Sequence, residues 1–135
     1  MPTDLANIVP ARPAQAPPGR KRLHTVDAAL TAASPVAGIG ELTAAATAAV
    51  AAGRGHVLDT SHVVFPNGAV TLVLILAESH LAIHTWPEEN LIAIDLFSCG
   101  AIDAGRVTGY LVRRLRLTGV RTQRVDRGAA AADRC

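Results

Sequence analysis

Ser79, His80, His84, Trp86, Glu88 and Cys99 lie close together within FPNGAVTLVLILAESHLAIHTWPEENLIAIDLFSCG, residues 65–100, a stretch that is otherwise largely apolar. Polar groups set among core-forming residues cost free energy unless they are paired or put to use. A serine, two histidines, a carboxylate and a thiol could together supply a nucleophile, a base and an acid. Taken singly, each also has a plain explanation as a satisfied side chain, and Trp86 as packing.

Three familiar chemistries fit poorly. His80, His84 and Cys99 could suggest a metal site. On a strand, however, positions four apart are separated by ~13 Å at ~3.3 Å per residue, whereas zinc holds each ligand at ~2 Å. Ser79 or Cys99 with a histidine and an acid would suit a hydrolase. The glycine-flanked turn that presents such a nucleophile is missing around Ser79. A pyridoxal phosphate enzyme anchors its cofactor on a lysine. Lys21, in a basic leader, is the sole lysine of the chain.

Read as one ordered set, AESHLAIHTWPE followed by AIDLFSCG closely resembles the signature of bacterial and archaeal S-adenosylmethionine decarboxylase proenzymes. The resemblance covers about the last three quarters of the chain and leaves out the residues before Leu23. It implies self-cleavage between Glu78 and Ser79. The Ser79 hydroxyl would attack the Glu78 carbonyl and turn the amide into an ester. Loss of the Ser79 α-proton would then expel the ester oxygen, and loss of ammonia would leave a pyruvoyl group. The products would be residues 1–78 and 79–135, with the pyruvoyl cofactor capping the second.

By the same resemblance His84 is the base for that elimination, a role suited to a side chain that titrates ordinarily near 6.5. Thr71 occupies the place of a family serine that stabilises the processing intermediate. Threonine keeps the hydroxyl but adds a methyl group and stiffens χ1. Leu72 stands where the family often has glycine. Cys99 matches the acid that reprotonates the α-carbon after decarboxylation, and a free thiol near pKa 8.5 can donate a proton at neutral pH. Phe65 matches an aromatic that stacks on adenine, and its π face can attract a sulfonium. Glu88 matches the carboxylate that holds the ribose hydroxyls. Trp86 is open between pocket wall and core.

The implied reaction is a Schiff base between substrate amine and pyruvoyl ketone, followed by loss of carbon dioxide. The implied product is the aminopropyl donor for spermidine synthesis, and the implied assembly is a homodimer of self-cleaved units with sites near the subunit interface. Two alternatives stand beside it. One is a relative turned to ornithine or arginine, for which Glu89 could supply a further acid. The other is a homologue that never cleaves and only binds.

The elements around these residues are legible from pattern. The 135 residues suit one domain over 22–135 behind a flexible leader, 1–21, that holds five of the eight prolines. Strands are expected at Leu23–Leu30, His56–Phe65, Ala69–Ala77, Leu81–Trp86, Leu91–Phe97 and Val120–Val125. Alanine-rich Ile39–Ala52 should be a helix stopped by Gly53, and a second helix should span about Ala101–Leu117. Turns at Pro66-Asn67-Gly68 and Pro87-Glu88-Glu89-Asn90 favour antiparallel pairing. The expected fold class is α+β, a two-layer sandwich of a mainly antiparallel sheet with helices on one face. The net charge of +2 makes no case for nucleic acid or an anionic membrane, and the longest apolar run, Ala69–Ala77, is too short to span a bilayer. Two cysteines, one of them terminal Cys135, do not make a disulfide framework, so a reducing, cytoplasmic setting is expected.

Overall fold

The computed structural model describes residues 21–35 and 38–128. Residues 1–20 of the expected leader, and Cys135, lie outside them. The elements in chain order are β1 (Lys21–Ala29), α1 (Ile39–Ala52), β2 (Val57–Val64), β3 (Val70–Leu76), β4 (Ser79–Trp86), β5 (Leu91–Ser98), α2 (Ala104–Arg114) and β6 (Thr118–Arg127). A short 3-10 turn, Pro87–Glu89, joins β4 to β5.

The six strands form one sheet in the order β2-β3-β4-β5-β1-β6. Every neighbouring pair is antiparallel. The short connections between β2, β3, β4 and β5 leave consecutive strands no other way to pair. Both helices cover one face, so the fold is the expected α+β sandwich of two layers.

Strand alternation builds that asymmetry. Leu72, Leu74 and Leu76 of β3, Leu81 and Ile83 of β4, and Ile92, Ile94 and Leu96 of β5 are buried against the helices. They meet Leu42, Ala45, Ala46, Ala49 and Val50 of α1, and Val107 and Leu111 of α2. Small alanines let α1 lie close. Gly53 ends α1 where a Cβ would sit 2.7 Å from the Asp103 carbonyl oxygen, and its own carbonyl accepts the Asp103 N–H at 2.9 Å. Asp103 in turn caps α2 by accepting the Arg106 N–H at 3.1 Å, an interaction worth ~1 kcal/mol.

The alternate positions form the other face, where the helices do not reach. Thr71, Val73 and Ile75 of β3 lie beside His80, Ala82, His84 and Trp86 of β4 and Ala93, Asp95 and Phe97 of β5. His80 stacks on Phe97 with ring centroids 5.9 Å apart, and the Arg127 guanidinium lies 5.6 Å from the same Phe97 ring. Among the described residues no helix is long and apolar enough to cross a membrane.

Candidate active site

The Glu78–Ser79 bond sits at the tip of the β3–β4 hairpin. Leu76 pairs with Ser79, leaving Ala77 and Glu78 as a two-residue loop. Such loops normally use glycine or asparagine for their positive φ angles. Here neither is present, and the positive φ falls on Ser79, at 135°. That region is nearly closed to a residue with a Cβ and costs ~1–3 kcal/mol.

Surrounding groups hold the loop. The Cys99 N–H donates to the Glu78 carbonyl oxygen at 2.9 Å, and the Ala77 N–H donates to the His56 carbonyl at 2.9 Å. The Glu78 carboxylate accepts the His56 N–H at 2.8 Å, and its other oxygen lies 3.0 Å from His56 Nδ1. Ser79 faces Ser98 across β5 in register, and Ser98 is buried. Cys99 is buried as well. Its sulfur is disulfide-bonded in this structure.

A second group gathers towards the other end of β4. Thr71 and His84 are cross-strand partners, and Thr71 Oγ1 lies 3.2 Å from His84 Nδ1. The His84 and Trp86 rings are tilted at 6.0 Å. Phe65, Pro66, Thr71, His84 and Trp86 line one cavity of about 550 Å³. Trp86 is 37% exposed and Phe65 46% exposed, so both offer ring surface rather than filling the core. Glu88 lies in the 3-10 turn, where Asn67 Nδ2 donates to its two carboxylate oxygens at 3.3 and 3.2 Å. Asn67 is itself fixed by accepting the Ala69 N–H at 3.0 Å.

The residues singled out from the sequence therefore fall into two groups. Glu78, Ser79 and Cys99 share one end of the sheet. Thr71, His84, Trp86 and Phe65 share the cavity, with Glu88 nearby through Asn67. Ser79 and His84 are five residues apart on one strand, ~16 Å at ~3.3 Å per residue. His56 and Asn67 were not singled out from the sequence. Their partners are 22 and 21 residues away, and no local spacing reports such contacts.

The S-adenosylmethionine decarboxylase family model matches residues 24–128. An S-adenosylmethionine decarboxylase proenzyme from Thermoplasma acidophilum is 47% identical over 64 residues, covering 47% of this chain and 48% of that protein. A proenzyme from Thermotoga petrophila is 40% identical over 82 residues, covering 60% of this chain and 62% of that protein. The chain thus spans about half to three fifths of the length of these curated relatives. The crystal structure of the adenosylmethionine decarboxylase from Aquifex aeolicus superposes with a TM-score of 0.69 at 24% identity, covering 83% of this chain and 94% of that one, and so matches the fold. With 24–128 matched, the chain belongs to the S-adenosylmethionine decarboxylase family.

Proposed function

We propose that this protein is a self-processing decarboxylase that cuts itself between Glu78 and Ser79 and acts on S-adenosylmethionine through the resulting pyruvoyl group. The observation that carries the reading is the Cys99 N–H resting on the Glu78 carbonyl oxygen, beside a serine held at a φ of 135°.

Those atoms support the self-cleavage. Attack of Ser79 Oγ on the Glu78 carbonyl carbon moves negative charge onto the carbonyl oxygen. The Cys99 N–H already points at that atom, as an oxyanion donor should. Collapse breaks the C–N bond, leaving an ester and freeing the Ser79 nitrogen as an amine. The new linkage also lets the strained Ser79 backbone relax. Removal of the Ser79 α-proton then breaks the Cβ–Oγ bond and releases residues 1–78 with a carboxylate at Glu78. Water adds, ammonia leaves, and a ketone remains on residues 79–135. The fit of the chain to the cofactor rests on this arrangement around Ser79.

Once formed, the pyruvoyl group supplies the electron sink for decarboxylation. The other residues bind and move protons. The Phe65 ring suits an adenine face and a sulfonium. The Glu88 carboxylate, already aligned by Asn67, suits a ribose diol. The Cys99 thiol returns a proton to the substrate α-carbon, so turnover belongs to the reduced protein. His84 serves as the base of the elimination, and Thr71 Oγ1 holds its ring nitrogen.

His84 and Ser79 of one chain are too far apart along β4 to meet. We infer that a second copy supplies His84 and Thr71, with the open sheet faces packed together. Val63, Ile75, Trp86 and Val125 leave that face with exposed apolar surface, which a dimer would cover.

Release of carbon dioxide from carboxyl-labelled S-adenosylmethionine, beside ornithine and arginine, tests the substrate. The expected result is release from the first alone, abolished in Ser79→Ala. Release from ornithine or arginine instead would replace the substrate assignment.

A further inference from the structure

His56 stands outside every group the reaction needs, yet it holds the loop that must be cut. Its N–H and Nδ1 both reach the Glu78 carboxylate, at 2.8 and 3.0 Å, and its carbonyl accepts from Ala77 at 2.9 Å. The hairpin loop is thus bracketed from both sides by one residue. Gly55 makes room for this contact. A Cβ there would lie 2.8 Å from Val50 Cγ1 and 3.2 Å from Glu78 Oε1, and Arg54 before it turns the chain with a φ of 63°. The Glu78 side chain is only 13% exposed, while that of His56 is 73% exposed. A solvent-facing ring fastened to a nearly buried carboxylate adds little to the core. It does fix the residue whose carbonyl is to be attacked.

Resting on the self-cleavage described above, we propose that His56 is a positioning residue for chain cleavage. Its side chain donates to the Glu78 carboxylate and so keeps the Glu78 carbonyl turned towards the Cys99 N–H and within reach of Ser79 Oγ. Misplacing a reacting carbonyl lowers the share of molecules in attack geometry, so the cost appears in rate. The side chain required is a donor at the Nδ1 position, not a base.

The test follows conversion of freshly made full-length chain into residues 1–78 and 79–135 by intact-mass spectrometry. His56→Leu should slow conversion about fivefold, the scale of one largely exposed hydrogen bond to a charged group. His56→Asn, which offers an amide N–H close to the Nδ1 position, should restore most of the rate. His56→Asp, which sets a second carboxylate against Glu78, should be slower than His56→Leu. The thermal midpoints of the uncut forms should stay together, because the ring is exposed. Glu78→Asp, which shortens the clamped side chain, should slow cleavage too, and His56→Leu should cost little more in that background. Equal cleavage rates for wild type and His56→Leu overturn the proposal, as do equal rates for the Asn, Leu and Asp variants. A wild-type chain that never cleaves overturns the self-processing reading as well, so the two failures are distinct.

Discussion

Cys99 enters the site twice, through its backbone and through its sulfur. The N–H on the Glu78 carbonyl survives replacement of the side chain by alanine, whereas the thiol proposed as proton donor does not. Cys99→Ala is therefore expected to cleave at 78/79 but to turn over at least tenfold more slowly, with part of its cofactor lost to transamination. Steady turnover at the wild-type rate would remove Cys99 from the donor role. Asn67 offers a matching test on the binding side. It aligns both Glu88 oxygens without touching the scissile bond. Asn67→Ala should raise KM for S-adenosylmethionine about three- to tenfold, the scale of one hydrogen bond to a charged group in an exposed setting. It should leave self-cleavage and kcat close to wild type. A drop in kcat at constant KM would contradict a role confined to binding.

At the scale of elements, β1 and β6 carry a titratable feature unrelated to the chemistry. His24 lies on β1 opposite Arg124 of β6. Burial, then the Arg124 and Arg22 charges, hold its pKa below the ordinary value of 6.5, with Asp126 opposing. A histidine depressed in the folded state binds its proton more readily when unfolded, so stability rises with pH in that window. It is fully present above pH 6.5 and is lost as pH falls from there through the lower folded value. Melting points read between pH 5 and 7.5 should fall on the acid side, and His24→Gln should flatten the curve. An unchanged slope in that variant would place the effect elsewhere.

The same elements show what could be read from sequence. The apolar run 69–77 and the alanine-rich run 39–52 marked β3 and α1 because their burial follows from period and propensity alone. The second helix, expected over Ala101–Leu117, is shorter, Ala104–Arg114. Asp103 caps it at one end, and Arg116 at a φ of 51° turns the chain beyond the other. The resemblance names Thr71 and His84 separately, and their pairing depends on hairpin register, which the turn sets. The turn itself hides its chemistry. Ala77-Glu78 carries no glycine or asparagine to announce it, and the strained φ falls on Ser79, which is paired on both of its sides. His56 and Asn67 act through contacts made by folding, which leave no local trace.

For the whole molecule, the proposed mechanism makes assembly part of the chemistry, because Ser79 and His84 are separated along β4. On that proposal chains carrying Ser79→Ala are not cut, and chains carrying His84→Ala lack the base. Alone, each should remain at full length. Co-expressed, they should form mixed dimers in which the His84→Ala chain, still holding Ser79, is cut with help from its neighbour. The expected readout is cleavage of about half of that chain at most, measured by distinguishable tags. No cleavage in the mixture, with mixed dimers present, would return the base to the same chain as its serine.

In the proposed function the Glu78–Ser79 bond is the origin of the cofactor. Intact-mass spectrometry of the purified protein tests it most directly. Two species are expected, residues 1–78 ending in a free carboxylate and residues 79–135 beginning with a pyruvoyl group that hydrazine or borohydride modifies. A single full-length species after long incubation under reducing conditions, or cleavage at 78/79 persisting in Ser79→Ala, would contradict it.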